Sequence, residues 1–221
     1  HLDHTTDSDL ILEAVRCGFG SVMFDGSRFP YAENVSRTAQ VVRRVRAVTA
    51  DVTVEGELGT IGGKEDEGAE SATRLCEPED AVRFVTDSGI DFFAPAIGTI
   101  HGFYSTSDPH VDFARVEAIA SRLEGAGLKV PLVIHGGTGL PQKTVRRLVA
   151  SGFAKVNIST AIKQVLLDTT YDYIASHREE YDPPRVDAVV REAVIGCVME
   201  QIRLLGTPSC DALGLPGASR E

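Results

Sequence analysis

The sequence predicts an α/β chain of the TIM-barrel kind, a (β/α)8 arrangement in which helices cover a parallel sheet. Three observations carry that expectation. Short apolar runs alternate with longer amphipathic segments along the chain. Polar and glycine-rich clusters follow the apolar runs, as chemistry follows the strands of a barrel. Six such strand ends are visible, two short of a closed barrel. A doubly wound open sheet is the alternative that the same alternation allows.

The elements follow in order. His1-Leu2-Asp3-His4 reads as the end of a strand that begins earlier. Gly20 to Phe24 is an apolar run ending at Asp25, and Val52 to Val54 runs into Glu55 and Glu57. Ile90 to Ile97 leads to Gly98-Thr99-Ile100-His101-Gly102, and Pro131 to Ile134 leads to His135-Gly136-Gly137-Thr138. Ala154 to Val156 leads to Asn157-Ile158-Ser159-Thr160. Helical periodicity covers Asp7–Cys17, Ala32–Val48, Phe113–Gly125, Pro141–Ala150, Ala161–His177 and Arg185–Leu205. Pro78 to Ser88 is a further helix, with proline in its first turn. The expected organisation is a barrel domain over 1–206 that lacks its N-terminal two strand–helix units. A flexible C-terminal tail rich in Gly, Pro and Ser is expected over 207–221.

Composition bounds the function. Of 221 residues, 43% are hydrophobic and 24% charged, which excludes a disordered chain, a collagen-like fibre and a coiled coil. No apolar run reaches the ~18 residues of a membrane span, and no basic-then-apolar leader opens the chain. A net charge of −10 disfavours nucleic acid, yet backbone amides can still hold a small phosphate. Cys17, Cys76, Cys197 and Cys210 lack metal-like spacing and read as reduced thiols of a cytoplasmic protein.

Three histidines stand at strand ends: His4, His101 and His135. Three imidazoles and one open position describe a catalytic zinc site, and barrel strand ends converge in space. Three unrelated core or surface histidines are the plain alternative. Adjacent strand residues point to opposite faces, so Asp3 and His4 share a site only where the strand turns. Asp25 and Glu57 also end strands, with Glu55 in the same side-chain parity as Glu57. Glu65 and Asp66 lie in a glycine-bounded loop that could close over a substrate or merely stay solvated. His135 to Gly139 and Asn157 to Thr160 each open a helix and offer an anion site, although Ser159-Thr160 could be simple capping. Lys129 and Lys155 are placed before strands, on the rim away from this chemistry.

These segments, together with Ser21-Val22-Met23-Phe24-Asp25-Gly26-Ser27 and Val54-Glu55-Gly56-Glu57-Leu58-Gly59, resemble the class II (zinc-dependent) fructose-bisphosphate aldolase family. That family includes tagatose- and other ketose-bisphosphate aldolases. The resemblance runs to about Leu205, in family order and spacing. It implies a lyase that reversibly cleaves a phosphorylated ketose to dihydroxyacetone phosphate and an aldehyde through a metal-stabilised enediolate. In that pattern His4, His101 and His135 are the zinc ligands, and Asp25 and Glu57 supply a second divalent-cation position. Asp3 is the acid/base at the breaking carbon–carbon bond, and Glu65 is the mobile-loop acid. Gly102, Gly136, Gly137, Thr138, Asn157, Ile158, Ser159 and Thr160 cradle the phosphate, near a monovalent cation such as Na+ or K+. A homo-oligomer, dimer or tetramer, is also implied. The alternative is a non-catalytic barrel subunit that stabilises or regulates a partner aldolase. The chain departs from relatives at Thr5, where Gly is usual. It departs again at Ser105-Thr106, where Lys-Gly is usual after the tyrosine, so one positive charge near the substrate is lost.

Overall fold

The computed structural model of the chain describes residues 1–63, 72–106 and 109–207. Glu65, Asp66 and the expected tail from 208 onward lie outside the described residues.

Six strands form one parallel sheet: β1 (Leu2–Thr5), β2 (Ser21–Phe24), β3 (Thr53–Leu58), β5 (Phe92–Pro95), β7 (Leu132–Ile134) and β8 (Phe153–Val156), hydrogen-bonded in that order. A separate parallel pair joins β4 (Gly62–Gly63) to β6 (Ile100–His101). Between and after the strands run α1 (Ser8–Arg16), α2 (Tyr31–Val48), α3 (Pro78–Ser88), α4 (Phe113–Gly125), α5 (Gln142–Ala150), α6 (Thr160–Ser176) and α7 (Pro183–Leu205). Local chemistry sets several ends. The Asp7 carboxylate accepts from the Asp9 and Leu10 amides at the start of α1, and Asp112 accepts from the Arg115 amide at the start of α4. Gly89 ends α3 in the left-handed conformation that glycine adopts freely.

Two differences from the sequence expectation have clear causes. Strand β3 continues through Glu55 and Glu57. Its alternation puts Val54 and Leu58 into the apolar layer under the helices and both glutamates on the opposite face, so the apolar run breaks while the strand does not. The pair β4–β6 is too short to leave a periodic signal. It exists because Gly63 has no side chain: a Cβ there would lie 2.1 Å from the His101 carbonyl oxygen.

The apolar layer lies between sheet and helices. Val22, Phe24, Val54, Phe93, Leu132, Ile134 and Phe153 from the strands meet Ile11, Val41, Val45, Phe84, Ile119 and Leu148 from the helices. At the strands' N-terminal rim, Arg46 of α2 pairs with Asp91, and Asp91 accepts from the Val54 amide at 2.7 Å. Apolar packing and this ion pair thus anchor one rim, leaving the other for polar groups.

The sheet curls until its two edge strands touch through side chains. Asn157 Nδ2, just past β8, donates to Asp3 Oδ1 of β1 at 2.7 Å. Lys155 Nζ of β8 lies 3.3 Å from His1 Nε2. This half-barrel curvature gathers the C-terminal strand ends around one pocket.

Phe84 and Phe93 are fully buried, with ring centroids 5.8 Å apart. Phe84→Ala should therefore cost about 3–5 kcal/mol. The measurement is the midpoint of urea unfolding, which should fall sharply; an unchanged midpoint would contradict this account of the core.

Candidate active site

His4 is brought to the pocket by strained backbone. Simple alternation would send Asp3 and His4 to opposite faces of β1. The β1–β2 register shifts between Leu2 and Thr5, and His4 has φ of +34°, the one non-glycine with positive φ among the described residues. Such a conformation costs of order 1–3 kcal/mol. It sets the Asp3 carboxylate 3.9 Å from His4 Nε2, so both residues serve one site.

His101 and His135 are held by a clamp between their loops. The Tyr104 hydroxyl donates to the Gly136 carbonyl at 2.7 Å and accepts from the Ile100 amide at 3.2 Å. Gly136 has φ of +66°, and a Cβ there would strike the Ile100 carbonyl oxygen at 2.3 Å. Glycine is therefore required for the end of β7 to approach β6 this closely.

The three imidazoles converge. His4 and His135 ring centroids are 4.5 Å apart, His4 and His101 5.0 Å, and His101 and His135 5.7 Å. One ring nitrogen from each lies within 4.8 Å of the others. His4 Nε2 faces His135 Nδ1 at 2.8 Å. On its other edge, His4 Nδ1 lies 3.0 Å from Asp25 Oδ2 and 3.9 Å from Glu57 Oε2. His4, Asp25 and Glu57 form a second group of possible ligands, again within 4.8 Å. Asp25 is fixed by the Ser27 amide at 3.0 Å. Buried Asn34 donates to the Glu57 carbonyl at 2.9 Å and is itself held by Thr38.

Charge follows from this packing. Burial pulls the His4 pKa down, but the Asp25 hydrogen bond and the Glu57, Asp3 and Asp25 charges outweigh it and raise it to about 10. Burial likewise opposes the charge on Asp25, and the hydrogen bond and charge of His4 reverse that, lowering Asp25 to about 2. His101 is pushed down to about 3 by burial and by His4 and His135, which keeps its ring neutral. Beyond His135, the fully buried Glu55 Oε1 lies 2.8 Å from Nε2. A carboxylate only accepts, so Nε2 is the protonated nitrogen and Nδ1 offers its lone pair toward His4. Without a metal, the extra proton on His4 fills the gap between the two rings. A borderline cation that favours nitrogen would take that proton's place, and the donor set fits zinc.

The two candidate phosphate loops lie side by side. The Ala161 amide is 3.4 Å from Thr138 Oγ1, and Val156 packs beneath Gly137. The Ser159 side chain makes no capping bond to α6, so capping does not account for it. Asn157 differs from the rest of this set, because its side chain turns to Asp3 and Lys155. Glu65 lies outside the described residues.

The sequence reading of Lys155 is corrected. Lys155 lies within β8, not before it, and its Nζ reaches Glu55 Oε2 at 2.7 Å. Leu132 pairs with Phe153 while Val133 pairs with Lys155, so the chain bulges at Ala154 and turns Lys155 inward. Glu55 and Tyr104 also join the site, and of the two only Glu55 has a signal in the sequence, its shared parity with Glu57.

The family model for class-II fructose-bisphosphate aldolase matches residues 1–209. A fructose-bisphosphate aldolase from Staphylococcus epidermidis is 37% identical over 207 residues, which is 94% of this chain and 70% of that one. The crystal structure of the YdjI aldolase from Escherichia coli K12 superposes with a TM-score of 0.75 at 28% identity, covering 93% of this chain and 68% of that one. A candidate fructose-1,6-biphosphate aldolase from Coccidioides immitis gives 0.82 at 26% identity, covering 96% and 72%.

Metal uptake should release protons. Metal-free His4 is protonated below about pH 10, and a metal-bound imidazole is neutral. Near neutral pH, zinc binding should expel about one proton per ion and tighten as pH rises. Calorimetric titration in two buffers of different ionisation enthalpy measures this. Binding without proton release would contradict the assigned charge on His4.

Proposed function

This chain belongs to the class-II fructose-bisphosphate aldolase family, and from that premise we propose that it cleaves a phosphorylated ketose, of the fructose or tagatose 1,6-bisphosphate kind, reversibly. The products are dihydroxyacetone phosphate and an aldehyde. The observation that supports this reading most is the meeting of three imidazoles, an acid and two phosphate-type loops at one pocket.

His4, His101 and His135 would hold zinc, whose Lewis acidity, when bound, offsets the negative charge left at carbon by cleavage. His4 turns Nε2 to that point because Asp25 holds Nδ1. Asp25 and Glu57, beside that same nitrogen, would take the second divalent cation. Asp3 stands 40% exposed at the mouth of the pocket, where its carboxylate can take the hydroxyl proton of the departing aldehyde. Such general-base work contributes about 10²–10⁴-fold. Glu65 would return a proton to carbon. Backbone amides at Gly102, Gly136, Gly137, Asn157, Ile158, Ser159 and Thr160, with the Thr138 hydroxyl, would hold the phosphate beside a monovalent cation. That grip turns remote binding energy into orientation at the reacting carbons.

The reading extends to the whole enzyme. Two further strand–helix units would close the sheet as an eight-stranded barrel, since β1 and β8 are its unpaired edges. Among the described residues no helix is long and apolar enough to cross a membrane, and a cytoplasmic location is proposed. A homo-oligomer is supported by α6 and α7, which expose Leu167, Tyr171, Ile174, Ile195 and Met199.

Asp3→Ala tests the assignment. Asp3 is not among the zinc ligands, so the variant should keep its zinc and still exchange the dihydroxyacetone phosphate proton. Cleavage should fall by about 10²–10⁴-fold. Unchanged cleavage would remove Asp3 from the mechanism. A loaded wild-type enzyme that neither cleaves nor exchanges would favour a subunit that only supports a partner aldolase.

A further inference from the structure

We propose that Glu55 and Lys155 are positioning residues, linking the metal ligand His135 to the acid Asp3 through one hydrogen-bonded relay that starts from the buried Glu55 and ends at the pocket mouth. The inference rests on the aldolase reading above and adds two residues to it. The relay runs Asp3–Asn157–Lys155–Glu55–His135, with each neighbouring pair in hydrogen-bond contact. Asn157 Nδ2 donates to Asp3 Oδ1 at 2.7 Å, and Lys155 Nζ donates to Asn157 Oδ1 at 2.5 Å. Lys155 Nζ also donates to Glu55 Oε2 at 2.7 Å, and Glu55 Oε1 accepts from His135 Nε2 at 2.8 Å.

The direction of each link is forced. Glu55 is 0% exposed, so its charge must be matched by partners. One oxygen takes the His135 proton, which fixes the tautomer and aims Nδ1 at the metal position. The other takes the Lys155 ammonium. An ammonium has three donors and no acceptor. Asn157 must therefore turn its oxygen to Lys155 and its NH2 to Asp3. A flipped amide would set NH2 against the ammonium and oxygen against the carboxylate. Lys155 thus fixes the side-chain orientation of Asp3 through Asn157. Two backbone features bring the parts together: the bulge at Ala154 turns Lys155 inward, and the curl of the sheet brings Asp3 within reach of Asn157.

Two variants test the relay. In Glu55→Gln a single carboxamide oxygen must serve either His135 or Lys155. Zinc affinity, read by chelator competition, should weaken about 10–100-fold. Nitrogen NMR of the metal-free protein should show His135 shifting from one tautomer to a mixture. In the double variant Glu55→Gln/Lys155→Met both charges leave together, so no unpaired buried charge remains. The carboxamide oxygen is then free for His135, and zinc affinity should recover. Asn157 loses its anchor, so kcat for cleavage should fall below that of the wild type with KM little changed.

Wild-type zinc affinity and a single His135 tautomer in Glu55→Gln would overturn the His135 half of the relay. Wild-type kcat in the double variant would overturn the Asp3 half. The aldolase reading fails separately, through a wild-type enzyme that does not cleave. Zinc affinity and the tautomer still judge the relay in that case, because neither depends on turnover.

Discussion

His4 has both ring nitrogens committed, Nδ1 to Asp25 and Nε2 toward His135, and it reaches that position on backbone with φ of +34°. The polar half of the molecule is arranged around this ring. Asp25 and Glu57 shape one of its edges, and His101 and His135 face the other. Asp3 joins them because the same turn of β1 that swings His4 inward leaves its neighbour at the pocket mouth. Relaxing the strain would return the two residues to opposite faces and dissolve the site.

The fold divides stability from chemistry along the strands. At the N-terminal rim, Arg46 and Asp91 tie α2 to the starts of β3 and β5, close to the apolar layer. At the C-terminal ends the interior holds the buried carboxylates of Glu55 and Glu57, which raise the cost of folding unless partners are fixed. The structure supplies those partners mostly from distant parts of the chain. Glu55 draws on His135 and Lys155, and the Glu57 carboxylate faces His4 Nδ1 at 3.9 Å and accepts from the Ile61 amide. The parallel sheet is thereby bound to a unique curvature, because a flatter sheet would strand these charges.

Much of this was legible in the residues. The limits of α3 and α4 follow from proline and aspartate at their starts, and the three histidines stand out because each closes an apolar run. What stayed hidden has physical causes. An inward-facing glutamate breaks an apolar run without ending a strand, so the apolar run of β3 is shorter than the strand itself. Two-residue strands such as β4 and β6 carry no period, so their pairing rests on Gly63 alone. The bulge at Ala154 reverses the parity of Lys155, and nothing in Phe153-Ala154-Lys155-Val156 marks it. Parity also left Asp3 and His4 undecided, since it predicts opposite faces and only the strain at His4 resolves the conflict.

The central claim is that one ion sits among His4, His101 and His135. Anomalous diffraction at the zinc edge, from crystals of the full chain grown with zinc, tests it most directly. The account predicts one strong peak about 2.0–2.1 Å from a nitrogen of each of the three rings. A peak confined to Asp25 and Glu57, or no peak within reach of His101 and His135, would contradict it.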